Sequence, residues 1–137
     1  MQEWSDWFSF ECPDDITDIV PKRPGIYQVR HVKDKVAQPV QRFNGQDDQG
    51  LLYIGQTTNL RRRLREFMKS ACSGTAGHSA GRTFHMYYAV RLKPDDLEFS
   101  WLAVSIGKAK TLERKLLDRY QKRYLDRPPL NISLMRK

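Results

Sequence analysis

Cysteine is scarce: the 137 residues contain two, Cys12 and Cys72. Their spacing offers neither a disulfide framework nor the paired ligands of a zinc finger or RING-like module, so two free thiols are expected. No apolar run approaches the roughly 20 residues of a membrane-spanning helix. The opening Met1-Gln2-Glu3-Trp4-Ser5-Asp6 lacks the basic start and apolar stretch of a signal peptide. With nothing to anchor or export it, the chain is expected in the cytoplasm, with no membrane partner. Repeats and low-complexity segments are absent too, which excludes solenoids. Lys and Arg are missing from residues 1–20, which hold six acids.

The charge left out of that segment accumulates elsewhere. The net charge is +8, and the chain after residue 20 carries 24 basic against 10 acidic groups, an excess of +14. A small body so cationic suits a polyanionic partner, either nucleic acid or an anionic membrane face. Apolar residues make up 39% of the chain, enough for one domain with a modest core. Residues 1–137 are therefore read as a single domain. Its acidic start also holds Trp4, Trp7, Phe8 and Phe10, too many aromatics for a disordered tail; a short segment packed on the domain is expected.

The chain is organised around Leu51-Leu52-Tyr53-Ile54-Gly55, which reads as a short buried strand. Thr57, Thr58 and Asn59 offer helix caps. In the helix that follows, over about 58–70, Leu60, Leu64, Phe67 and Met68 form one apolar stripe. Arg62 lies opposite the stripe and Arg65 well off it, while Arg61 and Arg63 flank it on either edge. An arginine at such a border either snorkels to solvent or holds an anion, and spacing alone does not choose between Arg61 and Arg63.

Residues 25–32 read as another strand, rich in β-branched residues. The connection 33–50 is polar and turn-rich, with room for extra strand at 36–43, and a long loop beside a site is a candidate DNA-contacting insertion. Residues 71–82, with Gly74, Gly77, His78, Gly81 and Arg82, read as a flexible loop whose glycines let the backbone approach an anion. Alternation of Phe84, Met86, Tyr88, Val90 and Leu92 predicts a strand over 84–92, and another is predicted over 98–106. A last helix over about 109–125 buries Leu112, Leu116, Leu117, Tyr120 and Tyr124 and carries a dense basic coat. Pro128-Pro129 stops it, and 130–132 is expected to dock as a short strand. The class is α+β: a small antiparallel or mixed three-stranded sheet flanked by helices, with an extended hairpin insertion.

Glu113 is the only carboxylate between Lys108 and Leu117. Its i+3 and i+4 neighbours are leucines, so no helical ion pair engages it. Such a carboxylate either favours the helix start through the dipole or holds a cation.

Gly25-Ile26-Tyr27 followed by Tyr53-Ile54-Gly55, an arginine ten residues after the second tyrosine, Leu112-Glu113 on a late helix, and Pro128-Pro129-Leu130-Asn131 form a specific constellation. Over about 24–131 the sequence resembles the GIY-YIG nuclease family. The resemblance implies a metal-dependent DNA endonuclease in which Tyr27, Tyr53, Arg63, Glu113 and Asn131 form the site. Arg63 matches the motif arginine and would bind the scissile phosphate. Glu113 would hold one divalent ion per site, Mg²⁺ or Mn²⁺. Tyr53 is the choice for general base, needing a nearby cation to lower its pKa. Asn131 resembles the family's structural hydrogen-bonding asparagine. Arg61, Arg62, Arg65, His78 and Arg82 are candidate nucleic-acid contacts.

Three departures from the family pattern stand out. The connection between the two motifs is longer than in most members. Gln56 stands where some members have a lysine. Phe67 stands four residues after the arginine, where a His or Tyr is frequent, and His78 or His85 is the available substitute. An inactive nucleic-acid-binding module of the same fold, or a plain basic interaction protein, are the competing readings. With one site, a double-strand cut would need a homodimer, a partner protein or two successive nicks.

Overall fold

Strand β2 (Gly25–Lys33) is the central strand, buried at Gly25, Ile26, Tyr27, Val29 and Val32, with both of its edges paired and both of its faces covered. It runs antiparallel to β6 (Leu51–Thr57) on one side and to β7 (Leu97–Ala103) on the other. β1 (Phe8–Ser9) extends the far edge of β7, and β3 (Val36–Ala37) folds back on the end of β2. The sheet thus has three long strands and two short additions, every pairing antiparallel. This computed structural model describes residues 3–10, 19–74, 77–88 and 92–131.

Alternation along β2 divides the core. Tyr27 and Val29 face a cluster with Phe10, Leu60, Leu64, Phe67 and Phe99. Ile26 faces the other way, towards Leu51, Ile54 and Tyr120. Helix α1 (Leu60–Ser73) covers the first face. Asn59 caps it by accepting from the Arg62 N–H at 3.1 Å, and Gly74 ends it at φ +75°. The stripe Leu60, Leu64, Phe67 and Met68 is buried as its spacing predicts. Helix α3 (Ile106–Tyr124) covers the second face; Ser105 caps it and Leu125 closes it at φ +54°. It begins three residues before the expected start.

Two segments differ from the sequence reading. Residues 71–73 continue α1, and Ser79–Thr83 form a short helix, α2, so less of 71–82 is loop than expected. Gly81 serves close packing: a Cβ there would lie 2.7 Å from both the Phe67 carbonyl oxygen and Ser70 Cβ. The predicted strand over 84–92 begins instead as a π-helical turn, Phe84–Tyr88. The Phe84 N–H donates back to Ala80 and Gly81, continuing α2. Phe84 is buried while Met86 is 67% exposed, so the alternating residues do not share a face.

The insertion is folded down. β4 (Val40–Gln41) and β5 (Gln46–Asp47) form a hairpin whose tip lies on the C-terminal end of α3. Buried Asp47 holds its base, accepting from the Gln49 and Leu51 N–H groups and from the Tyr120 hydroxyl at 2.9 Å. The aromatic start packs as expected over 3–10, with Phe10 fully buried and the Trp7 ring 4.2 Å from the Arg30 guanidinium. The expectation of two free thiols is corrected: Cys72 is disulfide-bonded. The chain's other cysteine, Cys12, lies outside the described residues, as do Ile132 and the four acids Glu11, Asp14, Asp15 and Asp18.

Candidate active site

β6 pairs on one side only, so its outer edge presents backbone groups that need partners. Three residues supply them. The Leu130 N–H donates to the Leu52 carbonyl at 2.8 Å. Asn131 clamps Ile54 in both directions, its Oδ1 accepting from the N–H at 2.9 Å and its Nδ2 donating to the carbonyl at 2.8 Å. The Glu113 carboxylate, reaching over from α3, accepts the Gln56 N–H. Capping this edge brings Glu113 and Asn131 alongside Tyr53.

On the α1 side of the same strand, Tyr53 and Tyr27 meet with ring centroids 5.9 Å apart. Gly55 allows it. It lies opposite Tyr27 in the ladder, and a Cβ there would come within 2.7–2.8 Å of Tyr53 Cε2 and of Tyr27 Cζ and Oη. Tyr27 is buried; Tyr53 keeps a partly open edge.

Arg63 points into this pair. Its side chain is 30% exposed, with Nη1 donating to Glu66 at 2.9 Å and to the Gly77 carbonyl at 3.4 Å. Its guanidinium also reaches the Tyr27 hydroxyl and lowers the pKa of both tyrosines. Arg61 is placed differently, its Nε donating to the Val20 carbonyl at 2.7 Å. The two flanking arginines, equivalent by spacing, are thus separated by what each touches. Arg62, Arg65 and Arg82 lie exposed.

His78 departs from the role of a surface contact. It is fully buried, its ring 4.6 Å from that of Phe67, and its Nε2 lies 2.7 Å from the Tyr27 hydroxyl. The tautomer follows from its other nitrogen. Nδ1 accepts from the Gly81 N–H at 3.4 Å, so Nε2 carries the proton and donates to Tyr27 Oη. The Tyr27 hydroxyl is then free to donate to Tyr53, in line with the mutual effect of the two groups: their hydrogen bond raises Tyr27 and lowers Tyr53. His85 turns away, towards the Ala71 carbonyl at 3.3 Å. The sequence offered His78 only as one of two histidines able to stand in where Phe67 lacks an exchangeable proton, and its ring does lie beside Phe67. It lies 51 residues from Tyr27 and outside the helix that presents Arg63; only the packing of α2 on α1 delivers it.

Burial dominates the titration of the cluster. It drives Tyr27 well above its ordinary value and raises the less deeply buried Tyr53 to a smaller extent; Arg63 pulls both down, and the hydrogen bond between them raises Tyr27 and lowers Tyr53. Tyr53 is thus the more acidic member of the pair. Burial lowers His78 to about 3, helped by Arg63 and Arg82, so the imidazole is neutral near pH 7. Burial also raises Glu113, even though the Gln56 N–H and Arg127 act to lower it.

That last shift bears on metal binding. Among the described residues Glu113 has no ion-pair partner, and no cluster of three or more His, Cys, Asp or Glu exists. A half-buried carboxylate that makes no ion pair favours a cation. A single carboxylate suits an ion that keeps water and takes its remaining ligands from substrate oxygens.

A family model described as the GIY-YIG catalytic domain matches residues 23–125. No curated protein and no solved structure matches this chain. The match spans both tyrosine strands, Arg63 and Glu113, the parts that the fold brings to one sheet edge. With most of its length covered, this chain belongs to the GIY-YIG family of nuclease catalytic domains.

Proposed function

We propose that the protein is a metal-dependent DNA endonuclease that hydrolyses phosphodiester bonds at this cluster. The observation that carries the reading is convergence: Tyr53 from β6, Arg63 from α1 and Glu113 from α3 meet at one partly open edge. Hydrolysis needs a base for water, positive charge for the phosphoryl oxygens and help for the departing oxygen.

Tyr53 takes the proton of the attacking water. Its oxygen is the one towards which Arg63 and the Tyr27 hydroxyl direct positive charge. Tyr27 and His78 hold that oxygen in place and supply a donor as charge builds on it. Arg63 binds the scissile phosphate through its guanidinium fork, whose Nη1 is also steadied by Glu66 and the Gly77 carbonyl. Glu113 would hold Mg²⁺ or Mn²⁺, which when bound neutralises charge on the phosphate and the departing oxygen. Asn131 positions Ile54, and through it Tyr53. Arg62, Arg65 and Arg82 supply screened attraction to the backbone of DNA.

A nucleic-acid-binding module that has lost activity is the second reading. What favours it is the burial that raises both tyrosines, together with Phe67 in place of a proton-exchanging side chain. Supercoiled plasmid distinguishes the two. The enzyme reading expects conversion to nicked circles with Mg²⁺ and none with a chelator. Retardation of the plasmid without nicking at any divalent-ion concentration would favour the second.

A further inference from the structure

The hairpin tip carries a ring that the fold leaves outside. Phe43 is 81% exposed, the most exposed large apolar side chain among the described residues. Its neighbours are immobilised. The Arg42 guanidinium donates to the Arg127 carbonyl at 2.6 Å and pairs with Asp126 at 3.3 Å. The Asn44 N–H donates to the Tyr124 carbonyl at 2.8 Å and its side chain to the Arg123 carbonyl at 2.9 Å. Gln41 donates to the Arg42 and Gly45 carbonyls. These bonds fasten the tip to the end of α3, where the last carbonyls of a helix need donors, and they direct Phe43 outward.

We infer that Phe43 is a stacking platform for a nucleobase, making the enzyme selective for DNA with an unpaired base near the cut. The inference rests on the nucleic-acid reading above.

Three observations support it. First, the polar side chains flanking Phe43 are spent on the protein itself, so the tip offers a π-face and no base-edge donors. A π-face binds any base and reads no sequence. Second, the surroundings are cationic on balance: Arg42, Lys122, Arg123 and Arg127 outnumber Asp126, Asp48 and the buried Asp47. Such a surface attracts a polyanion and repels a second copy of itself. Third, the tip is near the cluster. Tyr124, which it touches, is eleven residues after Glu113 on one helix, about 16 Å along its axis. At about 3.4 Å per base this is about five nucleotides from the scissile phosphate. Arg42 and Asn131 line one cleft between the two places. Unstacking a paired base costs energy that an already unpaired base does not require, hence the preference.

The test compares wild type with Phe43→Ala and Phe43→Trp, without divalent ions, on two labelled DNAs. One is a perfect duplex; the other has a single unpaired 2-aminopurine in the middle. Loss of one base–aromatic stack corresponds to about 5- to 150-fold in affinity. Phe43→Ala should weaken binding to the unpaired DNA by that factor and to the duplex by less than about threefold. Phe43→Trp should retain binding and quench the probe. Equal affinities of wild type and Phe43→Ala for the unpaired DNA would overturn the platform while leaving the nuclease reading intact. Failure of wild type to bind either DNA would overturn both. A concentration-dependent dimer in sedimentation that Phe43→Ala abolishes would assign the ring to a second copy and overturn it as well.

Discussion

Acid should destabilise this protein through His78, by an amount the structure sets. The imidazole is fully buried and is lowered from 6.5 to about 3. A group whose folded pKa is depressed leaves stability untouched above its unfolded value and erodes it as pH falls towards the folded one. The window is therefore pH 6.5 down to about 3. Within it the slope approaches about 1.4 kcal/mol per pH unit, and between pH 7.5 and 5 the loss is about 2 kcal/mol. That is a large part of a marginal total of about 5–15 kcal/mol. The groups responsible are in place: the Gly81 N–H requires an unprotonated Nδ1, and Arg63 and Arg82 oppose a second positive charge. Urea unfolding of wild type, His78→Gln and His78→Asn at the two pH values, without reductant, measures it. Gln replaces the donor to Tyr27 and Asn the acceptor for Gly81, and neither titrates. Both variants should lose about 2 kcal/mol less than wild type over the interval. His31, also lowered by burial, is common to all three and cancels. Identical losses in all three proteins would refute the assignment of a neutral, donor-constrained imidazole.

Gly55→Ala should push the two tyrosine rings apart, costing about 1–3 kcal/mol by overpacking and abolishing cleavage with DNA binding retained; thermal melts and rates check both. Asn131→Ala leaves the Ile54 N–H and carbonyl at the strand edge without their partner and should destabilise by about 1–3 kcal/mol in urea. Glu113→Gln keeps an oxygen for the Gln56 N–H, so its melt should match wild type. It should bind DNA as well or slightly better and lose Mg²⁺-dependent nicking; nicking that survives would remove Glu113 from the site.

The long elements were legible in the sequence because pattern and partner agree there. β2, β6 and β7 are buried strands between covered faces, and α1 buries the stripe that its spacing marks. The segment 84–92 misled because alternation records side-chain chemistry and not the neighbour that satisfies the backbone. There Phe84 extends α2. The insertion was legible as an insertion, but its docking depends on carbonyls at the end of α3 some 80 residues away. Within the site, position on the helix left Arg61 and Arg63 equivalent, and a carbonyl at Val20 separates them. His78 was visible as a residue and not as a partner of Tyr27, since glycine-rich surroundings read as loop while Gly81 in fact packs against α1.

The central claim is that bond cleavage occurs at the Tyr27–Tyr53–Arg63–Glu113 cluster and not merely on a basic surface. Adjacent arginines on α1 test it. Arg62 is exposed, its N–H engaged by the Asn59 cap; Arg63 reaches Tyr27. Single-turnover cleavage at saturating protein removes the binding contribution. Arg63→Ala should then cut about 10²–10³-fold more slowly than wild type, as expected for loss of a donor to developing charge. Arg63→Lys should rescue poorly because the fork is lost. Arg62→Ala should cut at the wild-type rate while binding more weakly, with a shallower salt dependence. Equal rates for Arg63→Ala and Arg62→Ala would contradict the account and reduce α1 to a cationic handle.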